Sequence, residues 1–125
     1  MAHNLRMLCV DDNIDLLTNL AEQFRNEEFL VDTADDGDVA LELIKANNYD
    51  IILLDVHMKR VDGITVLHEM KKLNKHPYVI MISAVNEVAM ADECVSLGAT
   101  DYISKPYDPE ELLHIVIKVL GSHSG

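Results

Sequence analysis

No apolar run in this chain approaches the ~18 residues that a membrane span requires. The longest, such as Ile51-Ile52-Leu53-Leu54, have the length of a strand. The opening stretch Met1-Ala2-His3-Asn4-Leu5-Arg6 lacks the apolar core of a secretory signal, which predicts a cytoplasmic location. Basic residues are scarce: 10 against 22 acidic ones, a formal net charge of -12. A field of that sign repels nucleic acid and anionic lipid, so direct binding to DNA, RNA or membrane is not expected. Cysteine is scarce as well. Cys9 and Cys94 lie far apart without a CxxC, and read as reduced, buried structural thiols rather than a disulfide. The six histidines form no HxH or HxxxH pair, which argues against a zinc site, and His68 and His114 read as surface residues. No glycine-rich loop follows the first strand-like segment, which weighs against a nucleotide- or flavin-binding domain. Repeats, linkers and low-complexity stretches are missing too. The 125 residues, 49% of them apolar and 26% charged, therefore read as one domain over 1–125, with a core over 5–120 and a loose tail at 121–125.

What is present is an alternation of strand-length apolar runs with helical patterns. Leu5–Val10 reads as a first strand, followed by helical spacing at Ile14, Leu17, Ala21 and Phe24. Phe29–Thr33 is a more polar second strand, placed at an edge, and Asp36-Gly37-Asp38 opens the next helix. Ile51–Leu54 has the fully apolar character of a central parallel strand. Ile64, Leu67, Met70 and Leu73 mark a third helix, Tyr78–Ile82 a fourth strand, and Val88, Ala91 and Val95 a fourth helix stopped by Gly98. A short fifth strand lies near Tyr102 and Ile103. Asp108, Pro109 and Glu111 then form a capping box for a last helix ending at Gly121. Five strand–helix units in order predict an α/β doubly wound (βα)5 three-layer sandwich, flavodoxin-like, with parallel sheet order 2-1-3-4-5.

In such sheets ligands sit beyond the carboxyl ends of the strands, at the switch between strands 1 and 3. Strand 1 ends in Asp11-Asp12, strand 3 in Asp55, strand 4 in Ser83-Ala84 and strand 5 in Lys105-Pro106. One aspartate after a strand is most often a turn former, and Asp35-Asp36-Gly37 at the far edge is read as turn chemistry only. Three carboxylates on one cleft repel one another, and in a chain already at -12 this arrangement makes sense around a cation. Oxygen ligands with room for water suit Mg²⁺. Lys105 can neutralise an anionic phosphoryl group, Ser83 can donate to one of its oxygens, and a carboxylate can be the nucleophile. The residues thus point to Mg²⁺-assisted phosphoryl transfer onto an aspartate.

The ordered set Asp11-Asp12, Asp55, Ser83-Ala84, Lys105-Pro106 resembles the receiver domain of bacterial two-component response regulators, the CheY-like family. Asp62-Gly63 and Gly98-Ala99-Thr100-Asp101-Tyr102 match as well, and the resemblance runs from about Leu5 to Leu120. It implies that Asp55 is the phosphoacceptor, that Asp12 is the main acidic metal ligand with Asp11 behind it through water, and that the backbone carbonyl of His57 is the third protein ligand. It implies further that Ser83 and Lys105 hold the phosphoryl group, that Tyr102 is the aromatic switch, and that Pro106 follows a cis peptide. The implied partner is a histidine kinase or a histidine phosphotransfer protein, and the implied output face is the fourth helix, fifth strand and fifth helix. One departure is plain. Where the family commonly has Met-Pro after the acceptor, this chain has Met58-Lys59-Arg60, which removes a restraint from the loop and adds positive charge.

Two other readings use the same residues. A Mg²⁺-dependent phosphohydrolase with an aspartate nucleophile would need a cap or specificity loop, for which 125 residues leave no room, and the Asp-x-Asp-x-Thr pattern of haloacid-dehalogenase-like phosphatases is missing. An unphosphorylated pseudo-receiver would be expected to lose the acidic pair, the acceptor or the lysine, and all are retained.

Overall fold

The computed structural model describes residues 5–84 and 88–122, with the backbone alone at 88–91 and 122. His3, Glu87, His123 and the rest of the tail at 123–125 lie outside the described residues, as do the side chains of Val88 and Ala91. Strands and helices alternate: β1 (Arg6–Val10), α1 (Ile14–Arg25), β2 (Leu30–Ala34), α2 (Gly37–Ala46), β3 (Ile51–Asp55), α3 (Gly63–Lys72), β4 (Tyr78–Ala84), α4 (Val88–Ser96), β5 (Asp101–Lys105) and α5 (Pro109–Ser122). All strand pairs are parallel, in the order β2-β1-β3-β4-β5. This is the flavodoxin-like arrangement that the alternation predicts.

Because successive strand side chains point to opposite faces, each strand feeds two cores. Met7, Cys9, Ile51, Leu53, Ile80 and Ile82 pack on one face with Leu17, Leu20 and Phe24 of α1 and Leu112, Val116 and Val119 of α5. Leu8, Val10, Ile52, Leu54, Val79 and Met81 pack on the other with Ala40 and Ile44 of α2, Val66, Leu67 and Met70 of α3, and Cys94 of α4. Covered on both sides, β3 is buried from end to end. Both cysteines are free thiols, one in each core.

Local chemistry fixes the helix ends. Asn13 caps α1 by accepting from Leu16 N–H, and Asp62 caps α3 by accepting from Thr65 N–H. At α5, Asp108 N–H donates to Glu111 Oε1 at 3.5 Å and Leu112 N–H donates to the Asp108 carbonyl at 3.1 Å. Gly98, at φ +112°, closes α4 in the left-handed conformation that glycine adopts without steric cost.

Five expectations need correction. β1 and β2 each begin one residue late, at Arg6 and Leu30, and Phe29 instead packs edge-on against Phe24 at 5.7 Å. Ile14 is 56% exposed: as the first residue of α1 it stands ahead of the face that covers the sheet. β4 runs to Ala84, so Ser83 lies inside the strand. α5 continues through Gly121 to Ser122 rather than stopping at the glycine. In a last turn glycine forfeits little, because the terminal carbonyls lack intrahelical partners in any case.

Candidate functional site

The register of the parallel strands brings the predicted groups to one edge. Asp55 is the last residue of β3 and pairs with Ile82, one residue before Ser83. Ser83 pairs with Ser104, and Ala84 with Lys105. Asp11 follows β1 directly, and its N–H donates to the Ala34 carbonyl at 3.2 Å, so the site starts where the ladder ends.

Carboxylate oxygens of Asp11, Asp12 and Asp55, one from each, lie within 4.8 Å of one another. Asp11 is fully buried and Asp55 is 4% exposed. Asp11 Oδ1 accepts from Asn13 N–H at 2.9 Å, which fixes the carboxylate plane. Its Oδ2 is buried, accepts no hydrogen bond of good geometry, and faces Lys105 Nζ at 3.3 Å. Lys105 Nζ also lies 3.4 Å from Asp55 Oδ2. One ammonium thus stands against two carboxylates with a third alongside, and the site keeps an excess of negative charge.

Protonation energetics express that excess. Burial pushes the Asp55 carboxyl up, the Asp11 carboxylate pushes it further, and Lys105 and the backbone N–H of His57 offset only part, which leaves it at about 6. For Lys105, burial works against the charged form, yet the carboxylates of Asp55 and Asp11 outweigh it and raise the ammonium above its ordinary value.

These residues fit Mg²⁺. Three hard oxygen donors converge, one carboxylate oxygen, Asp11 Oδ2, is buried without a hydrogen-bond donor among the described residues, and a second cation would relieve the repulsion. Among the described residues, this is the one group of His, Cys, Asp or Glu with such spacing.

The remaining predicted residues fall as follows. Ser83 is 2% exposed, and its hydroxyl has no hydrogen-bond partner among the described residues. Tyr102 is half-buried against the α2–α3–α4 core. The Lys105–Pro106 peptide is cis. The His57 side chain is exposed, and its backbone N–H donates to the Asp55 carboxylate.

Two residues escape the sequence reading. Tyr107 carries a buried hydroxyl without a partner among the described residues. Burial, then the fields of Asp11, Cys9 and Asp55, push it up to about 12. Its signal was only its place two residues after Lys105. Asp36 does more than turn chemistry. It caps α2 by accepting from Gly37 N–H at 2.9 Å, and the same oxygen accepts from Val61 N–H at 3.3 Å in the β3–α3 loop. The loop is therefore tied down despite its missing proline, and the added charge of Arg60 is engaged with Asp36 and Asp38.

No helix among the described residues is long and apolar enough to cross a membrane. A family model described as the response regulator receiver domain matches residues 7–117. The transcriptional regulatory protein ZraR of Escherichia coli K12 is 37% identical over 126 residues, which cover 99% of this chain but only 29% of that relative. Sporulation initiation phosphotransferase F of Bacillus subtilis is 33% identical over 117 residues, 94% of either chain. Among solved structures, response regulator protein TrrA of Thermotoga maritima in complex with Mg²⁺-BeF is similar at a TM-score of 0.81 and 31% identity, covering 93% of this chain and 99% of its own. With the family model spanning nearly the whole sequence, the chain belongs to the response regulator receiver domains of two-component signalling.

Proposed function

We propose that this receiver takes a phosphoryl group onto Asp55 from the phosphohistidine of a histidine kinase or histidine phosphotransfer protein. The observation that carries this reading is the buried, electrostatically unbalanced cluster of Asp11, Asp12 and Asp55 with Lys105 beside it. A carboxylate oxygen of Asp55 forms the new P–O bond as the P–N bond to the donor imidazole breaks, and the imidazole nitrogen keeps the electron pair. Asp11, Asp12, Asp55 and the backbone carbonyl of His57 would hold Mg²⁺, which when bound would supply positive charge to offset the negative charge of the phosphoryl oxygens. Lys105 pairs with the phosphoryl oxygens, and the hydroxyl of Ser83, which has no partner among the described residues, donates to one of them. As Ser83 is drawn in, Tyr102 follows and the face made by α4, β5 and α5 changes, a shift between two populations driven by phosphoryl contacts. Complex formation by TrrA with Mg²⁺-BeF supports the metal and phosphoryl assignments by similarity. Because the chain spans under a third of ZraR, any output beyond the receiver is outside this proposal.

Incubation with acetyl phosphate and Mg²⁺, read by intact mass, tests the assignment. One phosphoryl adduct is expected, lost in Asp55→Asn and formed more slowly in Lys105→Ala. An undiminished adduct in Asp55→Asn overturns it.

A further inference from the structure

The β3–α3 loop, residues 56–62, is gripped by a neighbouring turn that carries none of the reacting groups. At the loop's far end, a Cβ on Gly63 would collide with the Asp55 carbonyl oxygen and come within 3.1 Å of Val56 Cα. Gly63 N–H also donates to the Val56 carbonyl at 2.9 Å, which closes the loop on its own strand. At its middle the loop meets the β2–α2 turn. A Cβ on Gly37 would overlap the Val61 carbonyl oxygen and lie 2.8 Å from Val61 Cβ and Cγ1. Asp36, 8% exposed, accepts through Oδ1 from the backbone N–H groups of Gly37 and Val61. The Arg60 guanidinium returns the contact, with Nη2 at 2.6 Å from Asp38 Oδ2 and Nε at 3.6 Å from Asp36 Oδ2. Between these anchors lies His57, whose N–H is bonded to the Asp55 carboxylate.

We propose that the β2–α2 turn is a mould for the β3–α3 loop: Gly37 and Asp36 set where residues 57–61 lie, Arg60 clamps them there, and the His57 amide passes that placement to Asp55. The inference rests on the reading of Asp55 as the acceptor. It makes Asp36, Gly37 and Arg60 positioning residues, none of which touches the phosphoryl group. The clamp does the work of the missing proline, with side chains in place of a restricted backbone. Loss of a group bonded directly to a metal ligand typically weakens a metal site by about one to two orders of magnitude, so a support one step further out acts at the lower end of that range.

Gly37→Ala is the sharpest probe. It changes no charge, its backbone conformation needs no glycine, and alanine is an acceptable first helical residue, so its main effect is to push Val61 away. We expect the His57 amide resonance to move, affinity for magnesium alone to fall about tenfold, and acetyl phosphate labelling to slow in step. Arg60→Gln guards against a folding failure, since Arg60 is 73% exposed. Removing a positive charge should by itself draw Mg²⁺ in, so a loss of affinity, about threefold for a pair this exposed, reports geometry instead. Arg60→Lys should recover part of it. If both variants melt lower yet keep the unaltered chain's Mg²⁺ affinity and His57 shift, the turn is only structural and the inference falls while Asp55 stands. If the unaltered chain binds no Mg²⁺ and takes no phosphoryl group, the underlying reading falls and the inference with it.

Discussion

The ends of β2 and β3 each bury an aspartate, and the two carboxylates are in opposite conditions. Asp36 and Asp55 are 8% and 4% exposed, and burial pushes both upward. At Asp36, Oδ1 accepts from the N–H groups of Gly37 and Val61, while Oδ2, which has no hydrogen-bond partner among the described residues, faces the Arg60 guanidinium at 3.6 Å. Together these more than offset the burial, and the carboxyl stands below its ordinary value. At Asp55 the largest influence after burial is the Asp11 carboxylate, Lys105 is shared with Asp11, and the group is left at about 6. A structural aspartate is one whose local donors and cation outweigh its burial, even with one oxygen left unbonded. A reactive one is left under-supplied, so that an incoming cation or phosphoryl group completes it. Burial alone does not distinguish them.

The largest expected effect that breaks this comparison is Asp36→Ala. It removes a helix cap and frees Val61 and Arg60, so a loss of about 2 kcal/mol is expected in urea unfolding, at the upper end for a cap. A loss under about 0.5 kcal/mol, ordinary for a surface change, would mean that Asp36 is not satisfied as described.

Asp55→Asn should act in the opposite direction. The folded-state pKa of Asp55 is raised, so between its ordinary value and about 6 the folded chain binds more protons than the unfolded one. Stability therefore falls as pH rises through that window, and above it the penalty is complete. Asparagine removes the charge, so Asp55→Asn should gain on the order of 2 kcal/mol at neutral pH and flatten the slope between about pH 4 and 6. Asp36 has the reverse sign: its contribution is complete above the ordinary carboxylate pKa and is lost as pH falls below it. Thermal melts from about pH 2 to 7 on both variants separate the two, because the Asp36 window lies below about pH 4. An unchanged slope in Asp55→Asn would show that the acidic cluster is not frustrated.

The smallest effect belongs to Ser83→Ala. Its hydroxyl has no partner among the described residues, so the change should stay within about 0.5 kcal/mol. Phosphorylation on Asp55 should persist, but the amide shifts of Ala84 through Tyr102 caused by beryllofluoride should shrink. A full shift pattern would remove Ser83 from the switch.

Strand order and strand-end chemistry were readable from the sequence because both follow from local pattern. Two-faced burial makes β3 continuously apolar, and topology alone then brings Asp11, Asp12, Asp55, Ser83 and Lys105 together. The grip of Asp36 on Val61 was not readable. It joins turns 25 residues apart, and whether two loops touch depends on loop conformation, which apolar periodicity does not encode. Tyr107 was hidden for a related reason: its ring packs with the α1–α5 core while its hydroxyl reaches a charged region, and sequence spacing gives neither direction. Arg60 was seen, but as loose charge, because its partners lie on the other loop.

The two thiols form a matched pair of native reporters. Cys9 sits in β1 under α1 and α5, with burial raising its pKa to about 12 against a small opposing pull from Arg25. Cys94 sits in α4 under the opposite core, raised to about 11 by burial and by Glu93 and Asp62. Alkylation needs a thiolate in contact with solvent, so neither reacts until its own core opens. A central strand opens only with the whole fold, whereas a peripheral helix can detach alone. The ratio of labelling rates at Cys94 and Cys9 therefore measures, without any added probe, how often the α4 side parts from the sheet while the rest of the molecule stays shut.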